Sequence, residues 1–285
     1  MSIKSVIIQY FCRFIPDYVW LQLKYIKFFG RKFDSKNPKT FNEKLQWLKL
    51  HDRKDIYSTM VDKLAVKEYA ANILGNEHII PILGVYDKFD DICFDELPNQ
   101  FVIKCTHDCG GIAICKDKKN FDIASAREKI NKHLKLNYYW LYREWPYKNV
   151  KPKIIVEKYM EDDSTHELRD YKFFCFNGHV ECFKIDFNRS INHQANYYDR
   201  DGKLLKFGEI ICPPDYDKEL VLPVNLKKMI SFAEKIAKDN KFLRVDFYEV
   251  NKKVYFGEIT FYPASGFGRF TNENWDYKLG NLIKL

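Results

Sequence analysis

The sequence has no apolar run long enough to span a bilayer. Within the first 34 residues, Lys4, Arg13, Asp17 and Lys24 interrupt every candidate run and no small-residue cleavage site follows, so neither a membrane-spanning helix nor a secretory leader is expected. It also lacks any C-x-x-C pair. The eight cysteines, Cys12, Cys93, Cys105, Cys109, Cys115, Cys175, Cys182 and Cys212, fall mostly inside apolar strand-like runs. Buried reduced thiols of a cytoplasmic protein are therefore expected, rather than a zinc site or a disulfide framework. Neither G-x-x-x-x-G-K-[ST] nor G-x-G-x-x-G occurs, which disfavours P-loop and Rossmann nucleotide sites. There is no internal repeat and no low-complexity linker, so the parts are expected to pack as one unit.

What the chain does have is rings and positive charge. Aromatic residues make up 16% of the 285 residues, with 19 Tyr and 23 Phe, enough to line a core or a groove. A net charge of +8 suits an anionic partner, and nucleotide, acidic glycan and membrane surface all qualify. The basic, aromatic N-terminal stretch fits a helix packed on the body, and it also fits an amphipathic helix in a membrane interface. Cytoplasmic location, with the inner membrane surface as an option, follows from these two readings, and no nucleic-acid partner is expected.

Local signals place the elements. "TFNEKLQWLKL" opens with a capping box, Thr40 as N-cap and Glu43 reaching back, so a helix starts there. Further helices are predicted over "VDKLAVKEYAANILG", ended by Gly75, over "SAREKINKHLKLNYYWLYREW" with a bend near Asn137, and over "LKKMISFAEKIAKD". "HIIPILGVYDKF", "QFVIKCTHDCGGIAICKD" and "KIIVEKYM" read as strands and turns. "RDYKFFCFNGHVECFKIDFN" reads as a hairpin turned at Asn177-Gly178, which would set Phe174 opposite Glu181. The order is α+β: residues 1–75 helical, 76–152 a small α/β part, and 153–285 mostly antiparallel.

The last hairpin, "RVDFYEVNKKVYFGEITFYPASGFGRF", carries acids where a sheet usually holds neutral residues. Arg244, Asp246 and Tyr248 alternate on one face, and the return strand repeats the pattern with Phe256, Glu258 and Thr260. A three-residue turn at Asn251, Lys252 and Lys253 would set Asp246 across from Glu258, with Cβ atoms about 5 Å apart. Such a pair persists if a divalent cation bridges it or if one acid is protonated, and a solvated edge hairpin remains the other reading. Upstream, Lys104 precedes Gly110-Gly111, where backbone amides could approach a phosphate, although taken alone the segment is more commonly an ordinary hairpin with a snorkelling lysine. His107 and Asp108 either contact a ligand there or shape the turn. "KIIVEKYM" ends in Glu157, Lys158 and Tyr159, suited to adenine and ribose contacts or to a strand meeting solvent. Asp170 and Lys172 share a face, turned either to an anion or to water.

Together these segments resemble the ATP-grasp superfamily, particularly its TupA-like branch associated with teichuronopeptide, capsule and other surface-polysaccharide synthesis. The likeness runs over nearly the whole chain, through "NPKTFNEKLQWLK", "VDKLAVKEY", "LPNQFVIKCTHDCGG", "IIVEKYM", "RDYKFFCFNG" and "RVDFYEVNKKVYFGEITFYPASGF". It implies two α+β subdomains clamping ATP, with Mg²⁺ or Mn²⁺ between the phosphates and the acids of the last hairpin. Lys104 then corresponds to the phosphate lysine before the glycine loop, Glu157 to Tyr159 to the adenine hinge, and Lys63 to a basic residue that helps hold phosphate. Asp246 and Glu258 correspond to the metal ligands and Arg244 to the arginine facing the transferred phosphate. Thr260 stands where many ATP-grasp enzymes have Asn, which leaves the third protein ligand open.

The implied reaction makes an acyl phosphate from a carboxylate and ATP, after which an amine attacks to form an amide. The expected substrates are a carboxylated sugar or glycan and an amino acid or amino sugar. Arg244, Lys172 and Asp170 are the candidate catalytic groups, with Asp170, His107 and Tyr262 as candidate bases. A glycan or small-molecule kinase on the same fold and a metal-dependent glycosyltransferase are the competing readings.

Overall fold

The computed structural model describes residues 12–163, 168–188 and 192–285. The first eleven residues of the basic, aromatic N-terminal stretch lie outside the described residues. The rest of that stretch forms α1 (Asp17–Phe29), which turns its Leu21 and Tyr25 inward against Phe33 and Phe267. α2 (Phe41–His51) carries the expected capping box: the Thr40 hydroxyl accepts from the Glu43 N–H, and the Glu43 carboxylate accepts from the Thr40 N–H, both at 3.2 Å.

The next predicted helix is shorter than its pattern. α3 (Ile56–Val61) ends, Asp62 accepts from the Leu64 N–H at 2.9 Å, and only then does α4 (Ala65–Leu74) begin, closed by Gly75. Lys63 is thereby freed from the helix and its backbone donates to Thr106 at 2.9 Å.

The first sheet has the order β1-β4-β2-β3, all antiparallel, from β1 (Ile82–Tyr86), β2 (Phe101–Cys105), β3 (Ile112–Cys115) and β4 (Ile154–Lys158). β4, which sequence order groups with the C-terminal part, is hydrogen-bonded between β1 and β2. α5 (Ile123–Leu134) covers this sheet with Ala126 and Ile130. The bend near Asn137 is a full break: α6 (Tyr138–Tyr142) starts anew, with the Asn137 side chain accepting from the Tyr139 N–H at 3.0 Å.

The second sheet has the order β10-β9-β5-β6-β7-β8. Its strands are β5 (Asp170–Phe176), β6 (His179–Phe187), β7 (Gln194–Asp199), β8 (Leu204–Leu205), β9 (Phe242–Val250) and β10 (Lys253–Thr260). One face packs Phe173, Val245 and Phe247 beneath Met229, Phe232 and Ala233 of α7 (Leu226–Ala237). The other face is split. Phe174, Phe176 and Phe242 lie at one end, where Phe41 of α2 meets the Phe242 ring at 4.9 Å, and charged groups lie at the other. α8 (Asn274–Leu282) ends the chain against α2.

Two registers differ from expectation, each through a bulge. Asn177 and Gly178 do turn the β5–β6 hairpin, both in the left-handed region, but Phe174 pairs with Cys182 rather than Glu181, because the register shifts after Cys175. In the last hairpin the turn has two residues, Asn251 and Lys252, both left-handed, with Val250 pairing Lys253. That turn alone would put Glu258 on the wrong face. An extra residue at Gly257 restores it, so Glu258 pairs Asp246 while Phe256 falls on the core face opposite Phe247. Phe256 therefore does not share the face of Glu258. A Cβ at Gly257 would stand 2.9 Å from the Asp246 carbonyl oxygen, which is why the bulge residue is glycine.

All eight cysteines are free, and six of them are buried; Cys93 and Cys109 are exposed. Among the described residues no helix is long and apolar enough to cross a membrane.

Candidate active site

Between the two sheets lies a cavity of about 520 Å³, within the range of small-molecule sites. One wall is Val102, Lys104, Ile112 and Ile114 with the β4 exit Glu157–Tyr159; the other carries Arg169, Asp186, Phe187 and Tyr248. Lys116 stands over the Tyr159 ring at 5.9 Å, at the edge of the same space.

On the first wall, strand alternation turns Lys104 and Glu157 toward the cavity side from adjacent strands. Glu157 bridges two lysines, Lys104 at 2.5 Å and Lys67 of α4 at 2.6 Å. Burial alone would raise the Glu157 carboxyl, but Lys104 and Lys67 outweigh it and hold it below the ordinary range. Burial depresses Lys67, with Glu157 opposing. Lys67 is the lysine that sequence reading passed over in favour of Lys63. It lies four residues further along, inside α4, and the i, i+4 spacing in "KLAVK" was its only signal.

Replacing Glu157 with Gln leaves two partly buried cations facing each other, and a loss of about 3 kcal/mol in urea titrations at pH 7 is expected. Because the folded carboxyl titrates below its unfolded value, its stabilisation is full above about pH 4.3 and fades as pH falls through the folded pKa. Wild type should therefore converge on Glu157→Gln in acid, and a gap that stays constant down to pH 3 would refute the pairing.

The β2–β3 turn is built inward. Asp108 accepts from the Gly111 N–H at 3.0 Å and pairs with His133, and His107 Nε2 lies 3.2 Å from the His133 carbonyl. A Cβ on Gly110 would meet the His133 ring at 2.6 Å, and one on Gly111 the Cys105 sulfur at 2.6 Å. Packing, as much as open approach, requires these glycines. Lys63 donates to the Asp108 carbonyl and lies close enough to Glu258 to lower its carboxyl, so this lysine links the turn to the second sheet.

The second sheet's charged end forms a continuous floor. Lys172 is buried, pairs with Asp170, and lies 3.1 Å from Asp246 and 3.4 Å from Asp186. Burial would lower its ammonium, but Asp170 and Asp246 more than reverse that, so it stays protonated. Arg244 donates to both oxygens of Asp246 at 2.7 Å and to Glu258 at 2.8 Å. Burial opposes its charge, and Asp246 and Glu258 restore it above the usual value. Burial would raise Glu258, but Arg244, Lys172 and Lys63 hold it low. Beyond Asp186, Lys184 pairs with Glu209 at 2.5 Å. Asp186 and Lys184 were missed in the sequence, although "FKIDF" repeats the alternation of "DYKFF" on the neighbouring strand.

Buried charges at this density cost several kcal/mol each in desolvation, and their concentration beside the cavity makes this floor the candidate functional site. Asp246 is only 1% exposed, whereas the Glu258 side chain is 42% exposed, and one guanidinium nitrogen touches both. Two convergent carboxylates suit Mg²⁺, which takes one or two protein carboxylates and draws its other ligands from substrate phosphates and water. No cluster of three or more His, Cys, Asp or Glu able to hold a metal by itself occurs among the described residues. Thr260 donates its hydroxyl to Glu258 at 3.1 Å, so it buttresses that carboxylate.

None of the three candidate bases stands ready. Asp170 is paired with Lys172, burial keeps His107 neutral within the turn, and burial with Glu144 nearby drives the Tyr262 phenol far up.

Two antiparallel sheets closing on a cavity whose floor is charged and whose far wall is an exiting strand define an ATP-grasp protein. A family profile described as TupA-like ATPgrasp matches residues 43–284, and the chain belongs to that family. Comparison with curated proteins found no match. Among solved structures it is similar to N5-carboxyaminoimidazole synthetase from Staphylococcus aureus, at 14% identity, TM-score 0.40, covering 71% of this chain and 44% of that one. It is also similar to D-alanine–D-alanine ligase from Helicobacter pylori (13%, TM-score 0.45, covering 85% and 69%) and to the Bacillus anthracis ligase complexed with ATP (16%, TM-score 0.40, covering 71% and 55%). The chain spans 44% to 69% of the length of these proteins.

Proposed function

We propose that this protein is an ATP-dependent carboxylate–amine ligase that joins a carboxylated sugar or glycan to an amino acid or amino sugar in surface-polysaccharide synthesis. The observation that carries the reading is the run of one floor, from the cavity at Asp186 through Lys172 to Asp246, Arg244 and Glu258. Lys158, Tyr159 and the apolar wall would hold the base, Lys104 and Lys63 the phosphates, and Asp246 and Glu258 the Mg²⁺ or Mn²⁺. When bound, Mg²⁺–ATP would supply the phosphoryl group that turns a carboxylate into an acyl phosphate with release of ADP, and an amine attacking that acyl carbon would displace inorganic phosphate and leave the amide.

The chain's own contribution is electrostatic. Two anions must approach each other, and Arg244, Lys172 and Lys63 are fixed beforehand where they offset that repulsion. Lys172 is caged by three acids, so it keeps its proton and acts by charge, not by proton transfer. The positive net charge and the many rings favour an acidic sugar as the carboxylate.

Incubating the protein with ATP, Mg²⁺, a panel of uronic acids and a panel of amines should release ADP only when a carboxylate is present. Hydroxylamine should trap a hydroxamate in place of the amide. ADP release that ignores the carboxylate overturns the ligase reading. A stable phosphorylated sugar formed without amine would identify a kinase, and tight binding of a nucleotide sugar without ATP binding a glycosyltransferase.

A further inference from the structure

We infer that the outer face of α1 docks on an anionic bilayer surface. The helix is already fixed by its inner face: Leu21 and Tyr25 are buried, and Trp20 Nε1 donates to the Leu141 carbonyl at 3.0 Å. Yet the opposite side is apolar too. Val19, Leu23 and Ile26 stand at i, i+4 and i+7, 43%, 53% and 38% exposed, and Phe14 just ahead of the helix is 83% exposed. A surface helix with a single core face places polar residues there. This one has a second stripe with nothing from the described chain upon it.

The charge around the stripe selects the partner. Between Cys12 and Phe33 the basic residues are Arg13, Lys24, Lys27, Arg31 and Lys32, and the one acid is Asp17. Arg31 pairs with Glu43, Lys24 lies over the Trp20 and Tyr142 rings at 4.9 and 5.0 Å and Arg13 over Trp140 at 5.4 Å, so Lys27 and Lys32 are the cations turned outward beside the stripe. Asp17 is consumed inside the protein, by Arg53 and Arg143 at 2.8 Å each and by the Tyr139 hydroxyl at 2.7 Å. An apolar stripe with cationic flanks and no unpaired acid matches the headgroup region of an anionic leaflet, where apolar side chains enter the interface and lysines meet lipid phosphates. The helix is also tied to the body of the protein beyond the last hairpin. That link runs through the inner side of the helix, where Phe28 stacks on Phe267 at 4.9 Å, in the segment that follows the last hairpin. The inference does not depend on the reaction assigned above.

Sedimentation of the full chain with vesicles of phosphatidylglycerol and phosphatidylcholine, against phosphatidylcholine alone, tests it. Partitioning should be at least about tenfold stronger on the anionic vesicles and weaken with added salt. Leu23→Glu with Ile26→Glu should abolish it, and Lys27→Glu with Lys32→Glu should erase the anionic preference alone, both variants keeping wild-type circular dichroism and melting. No anionic preference, or binding untouched by the Leu23 and Ile26 changes, overturns the proposal. So does concentration-dependent self-association that the same changes abolish without any vesicle binding, which would assign the face to a second copy of the chain.

Discussion

Replacing Asp246 with Asn is expected to lower turnover by about 10³-fold or more while leaving the protein folded, since on the proposed reading it removes a charge that would hold the metal in the transition state. The side chain keeps its size and one acceptor. Lys172 retains Asp170 and Asp186 as partners, and Arg244 retains Glu258. The stability cost should thus stay near about 1–3 kcal/mol, the range for a weakened buried hydrogen-bonded group. Glu258→Gln should lose comparable turnover at a smaller stability cost, because that side chain is partly exposed. ADP release under saturating carboxylate and amine, paired with nucleotide binding by calorimetry, separates the two effects. Turnover within tenfold of wild type in both variants would remove these carboxylates from the metal assignment.

The facing of Asp246 and Glu258 was legible in the sequence, but the reason for it was not. Pattern reading supplied an odd-length turn, whereas the chain uses a two-residue turn and then spends Gly257 on a bulge. A glycine in a strand carries that information only if its close approach to a neighbouring carbonyl is known. Lys104, Glu157 and Tyr159 were legible as wall residues because strand period and position suffice to find them. That Lys104 would be clamped by Glu157, and that Lys67 would complete the trio, depended on the order β1-β4-β2 and on where α4 lies, and long-range pairing leaves no local trace. The face of Lys172 illustrates the same limit: alternation gave its side of the strand, but water and a cage of three acids differ only through β6 and β9. β7 and α8 carried signals too irregular to be placed.

A second large effect is expected at Lys49, a residue no motif singles out. It is fully buried in α2, and its ammonium donates to Gln46 Oε1 at 3.0 Å, the Tyr142 carbonyl at 2.9 Å and the Ser265 carbonyl at 2.7 Å. Those bonds hold the segment after Thr260, where Ala264 and Ser265 take left-handed φ of 47° and 54°, costing about 1–2 kcal/mol each for residues with a Cβ. Glu144 completes the cluster by accepting from the Ser265 hydroxyl at 2.6 Å. Lys49→Met would fill the space but leave two carbonyls unpaired and Glu144 buried without its cation, so a loss of about 3–5 kcal/mol in urea titration is expected. Burial depresses the Lys49 amine to about 7, against the pull of Glu144. Its folded pKa lies below its unfolded value near 10.4, so between those values the unfolded chain binds more protons and stability rises with pH. Wild type should gain up to about 1.4 kcal/mol per pH unit from this group in that window, and Lys49→Met should lack the gain. Burial raises Glu144, so its own contribution falls as pH rises, and because both proteins retain Glu144 the contrast between them reads Lys49. Parallel stability curves for the two proteins from pH 7 to 10 would show that Lys49 is charged throughout and holds the loop by hydrogen bonding alone.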